Sequence, residues 1–229
     1  EVAIDFFLML DTIGVTSRHE ALRAPMHARL VEVMLRQSTL PDDFTSWDIA
    51  EEDEETFERF REHVLADLLD NCCGVLKGEY LSIIGNALGN APNWRVAEAG
   101  TFALRAAAER IKEEMEESTT TTAEEFLTQL FTTVASQASD NSGIFSVHPL
   151  LRASTCRLIN SYAFWLGKKG DKGTLARGIL MYVTSSFSHG SSWPMAAVAF
   201  RSVCSRCARA LRDLETFGAL LEHTEQSIS

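Results

Sequence analysis

The sequence predicts an all-α protein, an α-solenoid of about five antiparallel helix pairs. Three observations predict it. Apolar residues recur at helical spacing and no convincing period-two segment stands among them. Strong stop and start signals lie only a few residues apart, so successive helices must fold back on each other as hairpins. And one pattern recurs: "WRVAEAGTFALRAAAERI" from Trp94, "HPLLRASTCRLINSYAFWL" from His148 and "SWPMAAVAFRSVCSRCARAL" from Ser192. Each opens with Trp or Pro, carries a small residue about five positions in (Ala99, Ala153, Ala197) and is followed by a second helix. Their starts lie roughly forty-five to fifty-four residues apart, close to the ~40–47 of HEAT-type repeats plus loop insertions.

In chain order the pattern predicts helices over about 2–15, 20–38, 56–77, 79–89, 93–116, 122–138, 148–167, 172–188, 192–211 and 213–225. These pair as 1–38, 56–89, 93–138, 148–188 and 192–225. The first contains "AIDFFLML" (Ala3 to Leu10), an apolar run too short to span a membrane. Gly89-Asn90-Ala91-Pro92 stops the helix before Trp94, and Thr122-Ala-Glu-Glu125 is a capping box after the "STTTT" linker. The prolines at 25, 41, 92, 149 and 194 fall at proposed helix starts or in loops, where the missing N–H costs nothing. "VTSSFSHGSS" (Val183 to Ser192) reads as a helix end running into a loop.

The helix from Trp94 carries alanine where a helix over an ordinary core carries large aliphatics. Small residues let neighbouring backbones approach closely, as stacked helix pairs require. On this reading Val96, Ala99, Gly100, Ala103, Ala107 and Ile111 face inward. Glu98, Thr101, Arg105, Glu109 and Lys112 form a solvent stripe, with Arg105 and Glu109 paired at i,i+4.

Composition narrows the function. The 229 residues can bury a sizeable core, and 45% hydrophobic with 23% charged residues is ordinary for a globular domain. A formal net charge of −11 argues against nucleic-acid binding, which needs a clustered basic face, and fits basic protein partners or simple solubility. Five cysteines, two of them adjacent at Cys72 and Cys73, do not make a disulfide framework and fit a reducing compartment. The start at Glu1, with no basic stretch before an apolar one, predicts no signal peptide and a piece of a longer protein.

No residue pattern predicts catalysis, a cofactor or a metal. Cys204-Ser-Arg-Cys207 is a CxxC, but mid-helix and without a second copy, so the two thiols read as small packing residues on one face. The six histidines form no HExxH, nothing positions a Ser/His/Asp triad, and there is no glycine-rich phosphate loop. Arg201, Arg206, Arg209 and Arg212 span a broad helix face that could form a phosphate-binding cluster, but they read better as a solvated face or as ion pairs to neighbouring repeats.

The segment from Thr39 to Glu55 has no helical period and is strongly acidic. Asp42, Asp43, Asp48, Glu51, Glu52, Asp53, Glu54 and Glu55 make it a mobile loop that either solvates the edge or docks a basic partner. Phe44, Trp47 and Ile49 would be its apolar anchors, and they favour docking.

One ordered succession goes further. "ETFERFREHVLADLLDNCCGVLKGEYL" (Glu55 to Leu81) is followed by the segments from Asn93, His148 and Ala196. That order resembles the middle repeats of the importin-β superfamily, closest to its transportin-SR and importin-thirteen branch. The family's slots are filled by Phe57, Phe60, Arg61, Val64 and Asp67, then Trp94, Glu98, Ala99, Phe102, Ala103, Leu104 and Ala106. They continue with Leu151, Arg152, Leu158 and Ile159, and end on Ala197, Phe200, Cys204, Cys207 and Leu211. Gly100 stands where the family usually has a larger residue, Asn160 where a glycine is common, and "ESTTTTAEE" is a longer linker. The resemblance implies a right-handed superhelix, with first helices on the convex side and second helices on the concave, cargo-facing side. It implies a nuclear import receptor that shuttles between cytoplasm and nucleus. Its partners would be protein cargo (Arg/Ser-rich splicing factors among them), the GTPase Ran and nucleoporins, with no direct nucleic acid and no membrane. The residues alone leave open another HEAT scaffold, such as an exportin or a phosphatase scaffold subunit, and a small helical redox or metal protein using the cysteines.

Overall fold

The computed structural model describes residues 6–7, 9–10, 12–42, 44, 52–117, 122–138, 143–168, 173–208 and 218, with the side chains of 52–55 set aside. The described residues form helices joined by turns and short irregular links, and contain no strand.

Helix α1, Ala24–Gln37, opens on Pro25 and buries His27, Val31 and Met34 along one stripe. It begins four residues later than expected, because the chain before it makes short 3₁₀ turns at Val15–Ser17 and Glu20–Leu22. Of the end helices expected at 2–15 and 213–225, only Phe6, Phe7, Met9, Leu10 and Gly218 are helical residues within the described part. Helix α2 runs as Glu52–Arg59, a π-helical turn at Phe60–Leu65, and Ala66–Leu76. The π turn inserts one residue into the helical ladder, a feature periodicity cannot announce. It brings Arg61 onto the stripe that continues through Leu65, Leu68, Leu69, Cys72, Cys73 and Leu76.

A single residue, Lys77 at φ 52°, joins α2 to α3, Gly78–Gly89. Asn93 then caps α4, Trp94–Ala106, its side chain accepting from the backbone N–H of Arg95 and Val96 at 3.1 Å each. The single helix expected over 93–116 is in fact two, α4 and α5 (Ala108–Glu117), broken at Ala107. The cause is visible. The buried Tyr80 hydroxyl donates to the Ala103 carbonyl at 2.8 Å, and the buried Tyr162 hydroxyl donates to the Leu104 carbonyl at 3.0 Å. Side chains inserted at the last carbonyls of a helix bend or end it.

The remaining elements are α6 (Thr122–Ser136), α7 (Pro149–Lys168), α8 (Gly173–Ser185, continued by a 3₁₀ turn at Ser186–Ser188) and α9 (Trp193–Arg206). Helix α7 buries eleven residues, from Leu150 to Leu166, spread around its circumference. It packs against α4 on one side and α9 on the other, while α2 packs on α4 and α5. A second series of neighbours runs α1–α3, α3–α6 and α6–α8, with α8 also touching α7 and α9. One continuous apolar core extends from Val31 to Cys207.

The expected solvent stripe is absent from α4 and holds only at Glu109 on α5, which is exposed. Glu98 is 3% exposed and Thr101 is fully buried, as are all residues from Ala97 to Leu104. With α2 and α7 against opposite flanks and α3 beneath, the helix has no free face at that level. Arg105 and Glu109 do not pair: Arg105 bonds Glu62 on α2, and Glu109 bonds Lys112. The inward set is confirmed at Ala99, Gly100, Ala103, Ala107 and Ile111, while Val96 is half-buried. Gly100 meets a specific need, since a β-carbon there would sit 2.8 Å from Leu88 Cδ2.

Candidate functional site

The acidic segment divides at the two ends where it is described. At its start the chain folds inward. Phe44, expected as an anchor for a partner, is 4% exposed and packs with Leu40 and Leu150, with Phe57 and Trp94 against them. Asp42 is held at the start of α4: its carboxylate lies 3.1 Å from the Arg95 guanidinium, which also donates to the Asp42 carbonyl. At its end, Glu52, Asp53, Glu54 and Glu55 belong to the first turns of α2 and not to a loop. Carboxylates at a helix N-terminus oppose the positive end of the helix dipole and so favour helix over loop. Asp43, Asp48 and Glu51, with Trp47 and Ile49, lie outside the described residues.

Two polar clusters that the sequence reading did not assemble cross the row of helices α2, α4 and α7. In the first, Arg61 Nη2 donates to both oxygens of Glu98, at 2.7 and 2.6 Å, and the Ser154 hydroxyl donates to Glu98 Oε1 at 2.6 Å. The Arg61 and Glu98 side chains are 2% and 4% exposed. The Arg61 guanidinium also lies over the Phe102 ring at 4.3 Å, and its Nε has no hydrogen-bond partner among the described residues. In the second, Arg105 Nη2 donates to both oxygens of Glu62, at 2.7 and 2.6 Å, and Arg157 Nη1 lies 3.9 Å from the same carboxylate. Two guanidiniums therefore share one carboxylate. Burial, and then the nearby Arg105, hold Arg157 below the ordinary arginine pKa.

The signal for these clusters was present in the spacing. Trp94, Glu98 and Phe102 are i,i+4 neighbours, and so are Phe57, Arg61 and Leu65, so one charge of each sign interrupts an apolar stripe. A buried charge survives only when paired, which should have matched the two.

The helix-opening aromatics also meet. Trp94 stacks on His148 with ring centroids 3.6 Å apart and planes 3° from parallel, while His148 Nδ1 accepts from the Leu150 N–H at the start of α7. Burial first, and the Arg95 charge second, push the His148 pKa below its ordinary value.

The cysteines form no disulfide and are mostly buried. Burial pushes the thiols of Cys73 and Cys156 up to about 12 and that of Cys207 up to about 11, so they remain protonated at neutral pH, unlike a reactive thiolate. Cys207 is not mid-helix as expected: α9 ends at Arg206 and Cys207 caps it. Arg201 and Arg206 are exposed, and Arg209 and Arg212 lie outside the described residues. Among the described residues no group of three His, Cys, Asp or Glu side chains is set to hold a metal, and no helix is long and apolar enough to cross a membrane.

Between α3 and α6 lies a cleft of about 640 Å³ lined by Leu81, Gly85, Leu88, Phe126, Leu130 and Ile144, with Ser, Thr, Asn and Gln side chains at its polar positions and no charge. It is roomy enough to receive an apolar side chain. Neither protein-family models nor curated proteins match the chain.

Proposed function

We propose that this chain is the middle of an α-solenoid of HEAT-type pairs and serves a nuclear import receptor of the importin-β superfamily. It carries protein cargo through nuclear pores and gives it up to GTP-bound Ran. The observation that carries the solenoid part is the double series of neighbours. The first helices of the expected pairs, α2, α4, α7 and α9, touch in chain order, and the second helices, α1, α3, α6 and α8, do so as well. Contacts between successive pairs are what a stacked repeat array requires, although α1 also packs on α4, one pair further on. The transport part is supported by the ordered resemblance of the segments from Glu55, Asn93, His148 and Ala196. Two of the residues that fill the family's slots, Arg61 and Glu98, form the buried pair that ties α2 to α4. The chain itself acts by presenting surface, not by chemistry.

The test is cargo capture by the full-length protein containing this chain, with and without Ran loaded with a non-hydrolysable GTP analogue. Cargo retained alone and released on adding Ran supports import. Cargo captured only together with Ran would make the protein an exportin. Capture indifferent to Ran would remove it from nuclear transport and leave a scaffold of another kind.

A further inference from the structure

We propose that the groove between α4–α5, α7 and α9 docks an acidic peptide segment of a partner protein, taking glutamate and aspartate side chains along an extended chain. The groove encloses about 450 Å³, and its lining includes Arg105, Lys112, Asn160, Phe164, Ser202 and Arg206. Its charge stands against the rest of the molecule. The lining carries three cations and one carboxylate, Glu109, in a chain whose formal net charge is −11. Glu109, its side chain 75% exposed, lies 3.1 Å from Lys112 and offsets one of the three, which leaves a cationic surplus that Arg206 carries.

Behind the groove the charges balance: Arg105 is held by both oxygens of Glu62, and Arg157 lies near Glu62, Glu58 and Glu98. Arg206 makes no ion pair with a described residue. It is placed at the groove by a close approach of two helices: a β-carbon on Gly167 of α7 would lie 2.6 Å from the Arg206 carbonyl oxygen, so only glycine allows α9 this near. Asn160 accepts from the Ser202 hydroxyl at 2.6 Å through Oδ1, which turns its N–H₂ into a donor for a ligand. Lys112 lies over the Phe164 ring at 5.1 Å, giving the groove an aromatic floor beside its charges.

The cations come from three elements and do not converge on one point. That spread matches several single carboxylates along a chain better than one phosphate dianion. A basic spot on an acidic molecule also steers: acidic segments are repelled elsewhere and held here. This inference rests on the residues of the groove and stands or falls separately from the transport reading.

The experiment is fluorescence anisotropy of the whole chain with a labelled, glutamate-rich peptide, at low and at physiological ionic strength. The wild type should bind saturably at low salt and more weakly at higher salt. Lys112→Glu with Arg206→Glu should weaken binding at least about tenfold. The control pair Arg29→Glu with Arg36→Glu, on α1, changes net charge equally and should leave affinity within about twofold. If the first pair melts below the control, Lys112→Gln with Arg206→Gln is read in the same assay, with a smaller loss expected. The proposal is overturned by no saturable binding at low salt, by equal loss in both reversed pairs, or by binding of a phosphoserine peptide when the glutamate peptide does not bind.

Discussion

Replacing Glu98 by alanine leaves the Arg61 guanidinium buried between α2 and α4 with no anion. The two charges are in direct contact, at 2.6 Å between Nη2 and Oε2. At an effective dielectric near 20, unit charges about 4 Å apart attract by about 4 kcal/mol. Removing one partner of such a buried pair costs roughly 3–5 kcal/mol, because the survivor keeps its desolvation penalty. The Ser154 hydroxyl loses its acceptor as well, adding about 1 kcal/mol. We therefore expect Glu98→Ala to destabilise the chain by about 5 kcal/mol, a large share of the ~5–15 kcal/mol a domain has. Glu98→Gln, which keeps an acceptor but not the charge, should cost about half as much. The pair is not needed for stability as such: Arg61→Met with Glu98→Met should fall within about 1.5 kcal/mol of wild type. The assay is urea unfolding followed by far-ultraviolet circular dichroism on all variants, closed as a double-mutant cycle. A cost below about 1 kcal/mol for Glu98→Ala would place the pair with exposed ones and refute the reasoning.

Other outcomes follow from the same packing. Gly167→Ala improves helix propensity by about 1 kcal/mol, yet should lower the melting temperature, because its β-carbon meets backbone and the helices must part at a cost of about 1–3 kcal/mol; a raised melting temperature would show that α7 and α9 separate freely. The buried thiols of Cys73 and Cys156 have folded pKa values of about 12, raised by burial from about 9. Their protonated state favours the fold below pH 9, and that contribution is lost as pH rises from there toward 12, since only the unfolded chain ionises. At pH 10.5 each should have lost about 2 kcal/mol, so Cys73→Ala with Cys156→Ala should flatten the alkaline fall in stability measured by melting against pH, and a parallel fall would contradict the burial.

Periodicity, capping signals and short links were enough to place the helices, because each of those rests on local chemistry. The ends at Asn93, Pro149 and Trp193 were legible for that reason. What escaped was set by neighbours. The break at Ala107 depends on hydroxyls from Tyr80 and Tyr162, both more than twenty residues away in sequence. The acidic turn at Glu52–Glu55 reads as loop from charge density alone, though the same charge favours a helix start. Glu98 and Arg105 were assigned to solvent because a helix wheel shows one outer face, whereas a helix flanked on both sides keeps none. Phe44 likewise looked like an outward anchor until its pocket under Trp94 was known.

The Glu62 carboxylate reaches Arg105 on the neighbouring helix and Arg157 on the helix after that, while Glu98 holds Arg61 behind it and Ser154 ahead. Consecutive pairs in an ideal repeat array communicate only with their immediate neighbours, so each can be removed and the remainder melts as a shorter version of the same thing. Here the span from α2 to α7 is stitched across one intervening pair. Severing the chain between α6 and α7 would part Arg157 from the Glu62 carboxylate and Ser154 from Glu98, and between those points the polypeptide should behave as one indivisible block. Trimmed versions made for crystallisation or domain mapping should therefore keep residues 52–168 together, and an array built this way melts over that stretch in one step where independent repeats would peel off from the ends.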